Sequence, residues 1–232
     1  MANAKKKNIK QYRFGQLSNK VSYRNDPVNV LIVGATGAGK SSTLNALIGE
    51  GTAKAGTGTD PETMAITSHR FNEFITLWDS PGLGDSIVND KKHSQMITEA
   101  LKMSRRDKFT GRNIGIIDMV LVIIEGSARD MGTTFRLLND VIIPNFPTKR
   151  IIVAVNQADI AMKGSHWNVK KPDGVLNDFL ENKAKSVQER IKDSAELKIK
   201  RPICFSAEYK WNLKGLMNLI IDSIPGKYRY IS

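Results

Sequence analysis

A glycine-rich stretch at residues 34–41 constrains this chain more than any other, and it reads Gly-Ala-Thr-Gly-Ala-Gly-Lys-Ser. The apolar run at residues 28–33 predicts a buried strand before it, and residues 42–48 predict a helix after it. In that context the pattern G-x-x-x-x-G-K-S predicts a phosphate-binding loop, because glycines let consecutive backbone N–H groups converge on an anion at a helix N-terminus. The alternative, a glycine-rich turn without a ligand, is disfavoured by the Lys-Ser pair in register.

The side chains of this loop have distinct predicted roles. Lys40 is expected to reach the β- and γ-phosphates of a nucleotide and to act in catalysis, and the Ser41 hydroxyl is expected to ligate Mg²⁺. Nucleotide contacts are predicted for the loop residues Gly34, Thr36, Gly37, Ala38, Gly39, Lys40, Ser41 and Ser42.

A second motif, Asp79-Ser80-Pro81-Gly82, follows a predicted hairpin with strands at residues 65–71 and 74–78 that turns at Asn72-Glu73. An acidic residue at the carboxyl end of a strand beside a phosphate loop suits a Mg²⁺ site, so Asp79 is a predicted metal-site residue. The Gly82 N–H is expected to meet the γ-phosphate, which gives this residue a catalytic role.

Strand and helix patterns alternate along the rest of the chain. Apolar runs predict strands at residues 116–125, 150–155 and 201–205. Helices are predicted at residues 87–110, 131–143, 175–197 and 213–224, the first with Ile97, Ala100, Leu101 and Met103 on its apolar side. This alternation predicts an α/β fold with a doubly wound, mostly parallel six-stranded sheet.

Composition sets the limits of the domain and its surroundings. Residues 28–225 are expected to form the domain, after a basic extension at residues 1–27 and before a short tail at residues 226–232. The apolar runs are too short to span a bilayer, the N-terminal lysines are not followed by a signal-like apolar stretch, and Cys204 is the sole cysteine. A reducing cytoplasm is therefore the expected location.

The net charge of the chain is +12, and seven of its Lys and Arg residues precede the first acidic residue, Asp26. Such a segment suits contact with RNA, a ribosome or an anionic membrane. It is equally consistent with a solvated tail, because a charge run alone does not choose between these interpretations.

Two further motifs lie at strand ends and suit a nucleobase. A carboxylate such as Asp159 can accept from the adjacent N1–H and N2–H₂ donors of guanine, and the Ala207 N–H can donate to O6. Asn156 would tie its loop to the phosphate loop and reach the N7 side of the base. Adenine presents the wrong pattern to these groups, so polar atoms of the site would stay unpaired. The predicted base-site residues are Asn156, Gln157, Asp159, Ser206, Ala207 and Glu208.

The order of these four motifs resembles the phosphate-loop, switch II and base-recognition elements of a small GTPase domain. In particular it resembles the Era/TrmE-type (septin-related) bacterial GTPases, including Era-like proteins encoded in prophages and genomic islands. Residues 36–49 also resemble the loop of interferon-inducible and AIG-type GTPases. The resemblance covers about residues 28–225 and implies a P-loop NTPase G domain that binds GTP and GDP with Mg²⁺ and hydrolyses GTP, with loops that report the nucleotide state.

Among the positions that depart from the pattern of that family, three concern the base and the attacking water. Gln157 and Glu208 stand where members carry lysines whose stems cover the base. Leu83 stands where Ras-like enzymes place a glutamine that orients the attacking water. The resemblance therefore implies a slow intrinsic enzyme whose water is placed by another element or by a partner.

The switch I threonine, which should ligate Mg²⁺ and sense the γ-phosphate, is assigned to Thr63, with Thr59 and Thr57 as second and third choices. These threonines could instead be turn formers. The scattered histidines His69, His93 and His166 are expected to be structural or surface residues.

Three functions remain open at this point. The first is a GTPase switch. The second is a module that binds GTP or GDP with negligible hydrolysis and acts through a homodimer or on RNA, a ribosome or a membrane. The third is an ATPase of the same loop class, which Asp159 and Ala207 oppose.

Overall fold

The computed structural model describes residues 8–49, 51, 65–128 and 130–231. The strands, in chain order, are β1 (Val28–Gly34), β2 (Thr67–Arg70), β3 (Ile75–Asp79), β4 (Ser104–Arg106), β5 (Asn113–Gly115), β6 (Met119–Glu125), β7 (Ile151–Asn156), β8 (Trp167–Asn168), β9 (Lys171–Pro172), β10 (Ile203–Cys204) and β11 (Tyr230–Ile231). The α-helices are α1 (Phe14–Lys20), α2 (Lys40–Ile48), α3 (Ile87–Lys102), α4 (Gly132–Arg136), α5 (Gly174–Ala195) and α6 (Leu213–Ser223). A π-helical segment, Leu137–Ile142, continues α4.

The central sheet has six strands in the order β10-β7-β6-β1-β3-β2. All neighbours pair in parallel except β2, which forms an antiparallel hairpin with β3. The predicted doubly wound, mostly parallel sheet is therefore confirmed. The carboxyl ends of β1, β3, β6 and β7 lie at one edge, where ligands bind in open α/β sheets.

Each face of the sheet buries its own core, which explains why the parallel strands are apolar throughout. Val30 and Ile32 of β1 point into a core that also contains buried residues of α1, α2 and α6. The intervening Leu31 and Val33 point into the other core, which is closed by α3, α5 and the segment after α4. The alternation along β1 thus places helices on both faces. None of the described helices is long and apolar enough to cross a membrane.

The helix predicted at residues 87–110 is wrong in its last third. The α3 helix ends at Lys102, Met103 adopts extended dihedral angles as its C-cap, and residues 104–106 form β4. Met103 is exposed rather than part of the core. The chain leaves the helix here because β4 pairs with β5, the three residues just before the predicted strand at 116–125. The observed strand, β6, begins later than predicted, at Met119.

The described part of the basic N-terminal extension packs against the domain. Leu17 and Val21 are buried in one of the two cores, and the ring of Phe14 lies 4.9 Å from that of Phe74. Arg24 forms a fully buried ion pair with Asp118 at 2.8 Å. Part of the positive charge that the sequence places in this segment is therefore used inside the fold.

Candidate nucleotide-binding site

The phosphate loop joins the carboxyl end of β1 to the first turn of α2, as the motif predicts. Gly39 forms the N-cap of α2 with a φ angle of 81°, which glycine adopts without strain. A Cβ atom at Gly39 would lie 2.2 Å from Nδ2 of Asn156. Glycine is therefore required here both for its backbone conformation and for the close approach of the loop that begins at Asn156.

The Lys40 amine is folded back over the phosphate loop. Its Nζ atom donates to the carbonyl oxygen of Ala35 at 2.9 Å and lies 3.3 Å from that of Gly34. Burial lowers the pKa of Lys40 to about 8, against the opposing effect of the carboxylates of Asp79 and Asp85. A nearby polyanion such as a nucleotide phosphate would stabilise the charged form of this poorly solvated amine.

The predicted metal residues Ser41 and Asp79 lie in direct contact. The Ser41 hydroxyl donates to Oδ2 of Asp79 at 2.7 Å, and the Ser80 N–H donates to Oδ1 of Asp79 at 3.1 Å. Burial raises the pKa of Asp79, and its hydrogen bonds and the Lys40 charge act in the opposite direction. A hydroxyl and a carboxylate at the edge of a phosphate loop are oxygen ligands of the kind that Mg²⁺ prefers.

The third predicted metal residue, Thr63, lies outside the described residues, as do Thr57 and Thr59. In the described ranges no group of three or more His, Cys, Asp or Glu side chains could hold a metal. The two contacting oxygen side chains therefore fit a metal that is shared with a phosphate rather than one held by the protein alone.

The turn after β3 is fastened to the phosphate loop. The Thr36 N–H donates to the Leu83 carbonyl at 2.8 Å, and a Cβ atom at Gly82 would lie 2.7 Å from the backbone N and Cα atoms of Thr36. Glycine is thus the residue that allows this approach. The Leu83 side chain is buried in the core and presents no polar group to the site. Oγ1 of Thr36 is itself buried and has no hydrogen-bond partner in the described structure.

His93 is a contact of this turn that the sequence analysis did not assign to the site. Its ring lies on α3, 1% exposed, with Nδ1 at 2.7 Å from the Gly82 carbonyl oxygen. The signal was present in the helical spacing, because His93, Ile97 and Leu101 form the buried stripe of α3. A histidine on that stripe had to find a polar partner inside the fold.

Asn156 connects three loops at the end of β7. Its Nδ2 atom donates to the Ala38 carbonyl oxygen of the phosphate loop at 3.1 Å, and its Oδ1 atom accepts from the Ala207 N–H at 3.0 Å. The predicted tie to the phosphate loop is therefore present. The Ala207 N–H was expected to face guanine O6, but it donates to Oδ1 of Asn156. Contact between this N–H and a base therefore requires that the hydrogen bond to Asn156 be shared or exchanged.

Gln157 also connects the loop after β7 to the phosphate loop. It adopts a φ angle of 60°, and its Nε2 atom donates to the Gly37 carbonyl oxygen at 2.9 Å. The amide thus caps the loop without the charge that a lysine would bring. Oε1 of Gln157 and Oδ1 of Asp159 are buried, and neither has a hydrogen-bond partner among the residues described. These acceptors match a ligand that presents hydrogen-bond donors, as the Watson–Crick edge of guanine does.

The remaining predicted residues are less directly placed. Ser206 is buried, and its hydroxyl oxygen accepts from the Tyr209 N–H at 3.1 Å, so it shapes the loop around Ala207. Glu208 is exposed at the surface. The structure therefore brings together the phosphate-loop, Asp79–Gly82 and Asn156–Ala207 groups, and it leaves Glu208 at their margin.

Comparisons with known proteins agree with this fold. The chain resembles Toc33 from Arabidopsis thaliana, solved as a dimerization-deficient mutant, at a TM-score of 0.67 with 17% identity, covering 96% of this chain and 94% of that one. Toc33 from the same plant in complex with GDP and Mg²⁺ matches at a TM-score of 0.63, 17% identity and the same coverage of 96% and 94%. Era in complex with MgGDPNP and a segment of 16S ribosomal RNA matches at a TM-score of 0.54 and 18% identity, covering 90% of this chain but 60% of that one.

At these identities the structural matches establish the fold. No curated protein matches the chain. The family model described as "50S ribosome-binding GTPase" matches residues 29–157, which include the phosphate loop, Asp79, Gly82 and Asn156. Because this match covers more than half of the 232 residues, the chain belongs to the 50S ribosome-binding GTPase family.

Proposed function

We propose that this protein binds GTP and GDP with Mg²⁺ and hydrolyses GTP slowly, with the segments after α2 and after β3 as its nucleotide-dependent switches. The observation that carries the proposal is the double role of Asn156, which bonds both the phosphate loop and the Ala207 loop. A single side chain thereby fixes the spacing between a phosphate-binding element and a base-binding element.

The phosphate end of the site is built for a polyanion. Lys40 supplies a desolvated cation, the N-terminus of α2 supplies its partial positive charge, and the Gly82 N–H is available for a γ-phosphate. Ser41 and Asp79 would hold Mg²⁺, with Thr63 proposed as the switch I ligand. When bound, the metal would neutralise charge on the β- and γ-phosphates.

Guanine selectivity is assigned to Asp159. Its buried Oδ1 atom lacks a partner in the described structure, and an ionised carboxylate accepts but does not donate hydrogen bonds. The N1–H and N2–H₂ groups of guanine satisfy it, whereas the corresponding edge of adenine presents an acceptor at N1. An ADP or ATP complex would therefore leave buried acceptors unpaired.

A second function, nucleotide binding with negligible hydrolysis, is favoured by one observation. Leu83 is held by backbone bonds to the phosphate loop, and its buried side chain cannot orient water. In that case a partner would supply the missing group, or the protein would act through its bound state alone.

We also propose that the chain is Era-like and that it acts on a partner. An Era-like G domain at residues 28–225, with the extension at 1–27 and the tail at 226–232, would act in the cytoplasm. The neighbouring Era structure contains ribosomal RNA, and a dimerization mutant of Toc33 has been solved, which supports RNA or a second copy of the chain as partners.

The test is phosphate release from GTP and ATP by the full chain, with Mg²⁺ and with excess chelator. We expect slow, Mg²⁺-dependent release from GTP alone, and none from a Lys40→Ala variant. Binding of GTP with no release above the Lys40→Ala background would establish the second function. Equal release from ATP would contradict guanine selectivity.

A further inference from the structure

The hairpin formed by β4 and β5, residues 104–115, has a preformed and unusually basic tip. Its strands pair Arg105 with Ile114 and Arg106 with Asn113 in antiparallel register. The turn is fixed by the Asp107 carboxylate, which accepts from the N–H groups of Phe109 at 2.7 Å and Thr110 at 3.1 Å. We call residues 104–115 the basic hairpin.

The basic hairpin is also firmly attached to the domain. β11 adds a third strand, and the Gly115 N–H donates to the Arg229 carbonyl at 2.7 Å. Arg105 forms an ion pair with Asp26 at 2.7 Å, so this cation is already used inside the protein. The tip is therefore presented on a rigid base.

Three cations at the tip stay available. Arg106, Lys108 and Arg112 are exposed, and none of them forms an ion pair with a described residue. The Nε atom of Arg106 donates to the Gly111 carbonyl oxygen at 3.3 Å, which leaves its charge without a counter-ion. The acidic residue between them, Asp107, is engaged by the turn. By contrast, Arg13 and Arg24 of the N-terminal extension are paired with Asp222 and Asp118.

Aromatic surface lies beside these cations. The Phe109 side chain is 90% exposed at the tip, and the Arg112 guanidinium lies over the Tyr230 ring at 5.3 Å. A cavity of about 420 Å³ opens between Phe109 and Tyr228, and Arg105, Arg106 and Lys108 line it together with Asn25, Asp26 and Asp107. Its two carboxylates are already engaged, Asp26 by Arg105 and Asp107 by the N–H groups of the turn. A nucleobase could enter beside the Phe109 ring while neighbouring phosphates meet the cations.

The basic hairpin lies at the opposite edge of the sheet from the phosphate loop. It leads into the amino end of β6, which runs parallel to β1, and the phosphate loop follows the carboxyl end of β1. A partner on the hairpin therefore leaves the nucleotide site open.

We propose that the basic hairpin is a binding surface for single-stranded RNA, with bases stacked on Phe109 and phosphates contacting Arg106, Lys108 and Arg112. Free bases stack on exposed aromatic rings without regard to sequence, and cations along the path hold the backbone. A membrane fits less well, because Ile114 is buried and Phe109 is the one large apolar side chain exposed at the tip.

The test uses the full chain and a labelled single-stranded oligouridine RNA of about 12 nucleotides, with affinity followed by fluorescence anisotropy. A triple variant, Arg106→Gln, Lys108→Gln and Arg112→Gln, is expected to bind at least about 10-fold more weakly. The slope of log Kd against log salt should fall by about 2, since each phosphate contact with a single strand contributes about 0.7. Phe109→Ala should weaken binding about five-fold or more with an unchanged salt slope, and Phe109→Trp should restore it.

The matched control removes the same number of charges from the N-terminus: Lys5→Gln, Lys6→Gln and Lys7→Gln. This variant is expected to keep most of the affinity of the unmodified chain for RNA. Wild-type affinity in the hairpin triple variant, with loss in the N-terminal one, would overturn the proposal. Failure of the unmodified chain to bind the RNA, or hairpin-dependent binding to phosphatidylserine vesicles alone, would also overturn it. Unchanged circular dichroism and GDP affinity exclude misfolding as the cause of any loss.

Discussion

The Ser41 hydroxyl donates to Oδ2 of Asp79 at 2.7 Å, which joins the first turn of α2 to the last residue of β3. The two residues are far apart in sequence, but the parallel pairing of β1 with β3 brings their carboxyl ends together. The same pairing places Gly82 against Thr36. The residues proposed to contact the phosphate and the metal, and the turn proposed as switch II, therefore form one connected unit.

Gly82→Ala should disrupt this unit. The added Cβ atom would lie 2.7 Å from backbone atoms of Thr36, so either the phosphate loop or the turn must move. We expect the free energy of unfolding to fall by about 1–3 kcal/mol, as for other overpacked sites, and GTP hydrolysis to be lost. Urea unfolding and phosphate release measure the two effects.

Gly174→Ala provides the matched control, because a Cβ atom there meets no other atom within 4 Å. It should leave hydrolysis unchanged and should not lower the free energy of unfolding, because alanine suits the first turn of a helix. Normal hydrolysis and stability in Gly82→Ala would mean that the close packing of Gly82 on Thr36 is unimportant for the site.

His93→Ala should affect hydrolysis more than binding. Nδ1 of the His93 ring contacts the Gly82 carbonyl oxygen. Removal of the ring therefore frees the turn, and the Gly82 N–H of that turn is proposed to meet the γ-phosphate. We expect the single-turnover rate with GTP to fall about 10-fold, equivalent to about 1.4 kcal/mol, while the Kd for GDP stays within about two-fold. His166→Ala, which changes a half-exposed histidine in another loop, is the control. Equal losses in GDP affinity and in rate would contradict a role specific to the γ-phosphate.

The affinity for nucleotide should depend on pH through Lys40. In the free protein burial lowers the pKa of Lys40 to about 8, and a bound polyanion favours the charged amine. The charged form is thus present below that pKa and is lost as the pH rises through it, so GDP affinity should decline above about pH 8 and binding there should take up a proton.

Calorimetry at about pH 8.5 in buffers of different ionisation enthalpy measures this uptake directly. A Lys40→Arg variant that still binds GDP should show no such uptake, because arginine stays charged. Binding of GDP to the unmodified chain without proton uptake would contradict the proposed contact between Lys40 and phosphate.

Arg24→Ala should destabilise the fold strongly. Arg24 and Asp118 are both buried, and removal of the guanidinium leaves a buried carboxylate without its counter-charge. The expected loss in the free energy of unfolding is about 3–5 kcal/mol, measured in urea. Arg13→Ala breaks the more exposed pair with Asp222 and should cost about 1 kcal/mol or less. Similar small losses in both variants would show that residues 8–27 are not an integral part of the fold.

Sequence patterns predicted the elements that have strong local signals. Two local signals located β1, the phosphate loop and α2, namely the apolar run before Gly34 and the Lys-Ser pair after the glycines. Because Asp79 and Asn156 each follow an apolar strand pattern, they were expected at the carboxyl edge of the sheet. Met103 shows where this reasoning failed, because the helical pattern of α3 does not reveal that the next residues pair as β4 with β5.

Contacts between distant segments were also beyond local patterns. The Ala207 N–H donates to the Asn156 side chain, and the His93 ring contacts the Gly82 carbonyl oxygen. Both contacts depend on how the loops pack. In both cases tertiary structure, rather than composition, determined the role of the residue.

The most direct test of the central claim is calorimetric titration of nucleotide-free protein with GDP, GTP and ADP in Mg²⁺ buffer. The account predicts guanine-nucleotide binding without a detectable ADP signal. It also predicts that Asp159→Asn shifts preference by about 100-fold toward xanthine nucleotides, because the amide can donate to the O2 atom of xanthine. Equal or preferential ADP binding, or an Asp159→Asn variant with unchanged selectivity, would contradict it.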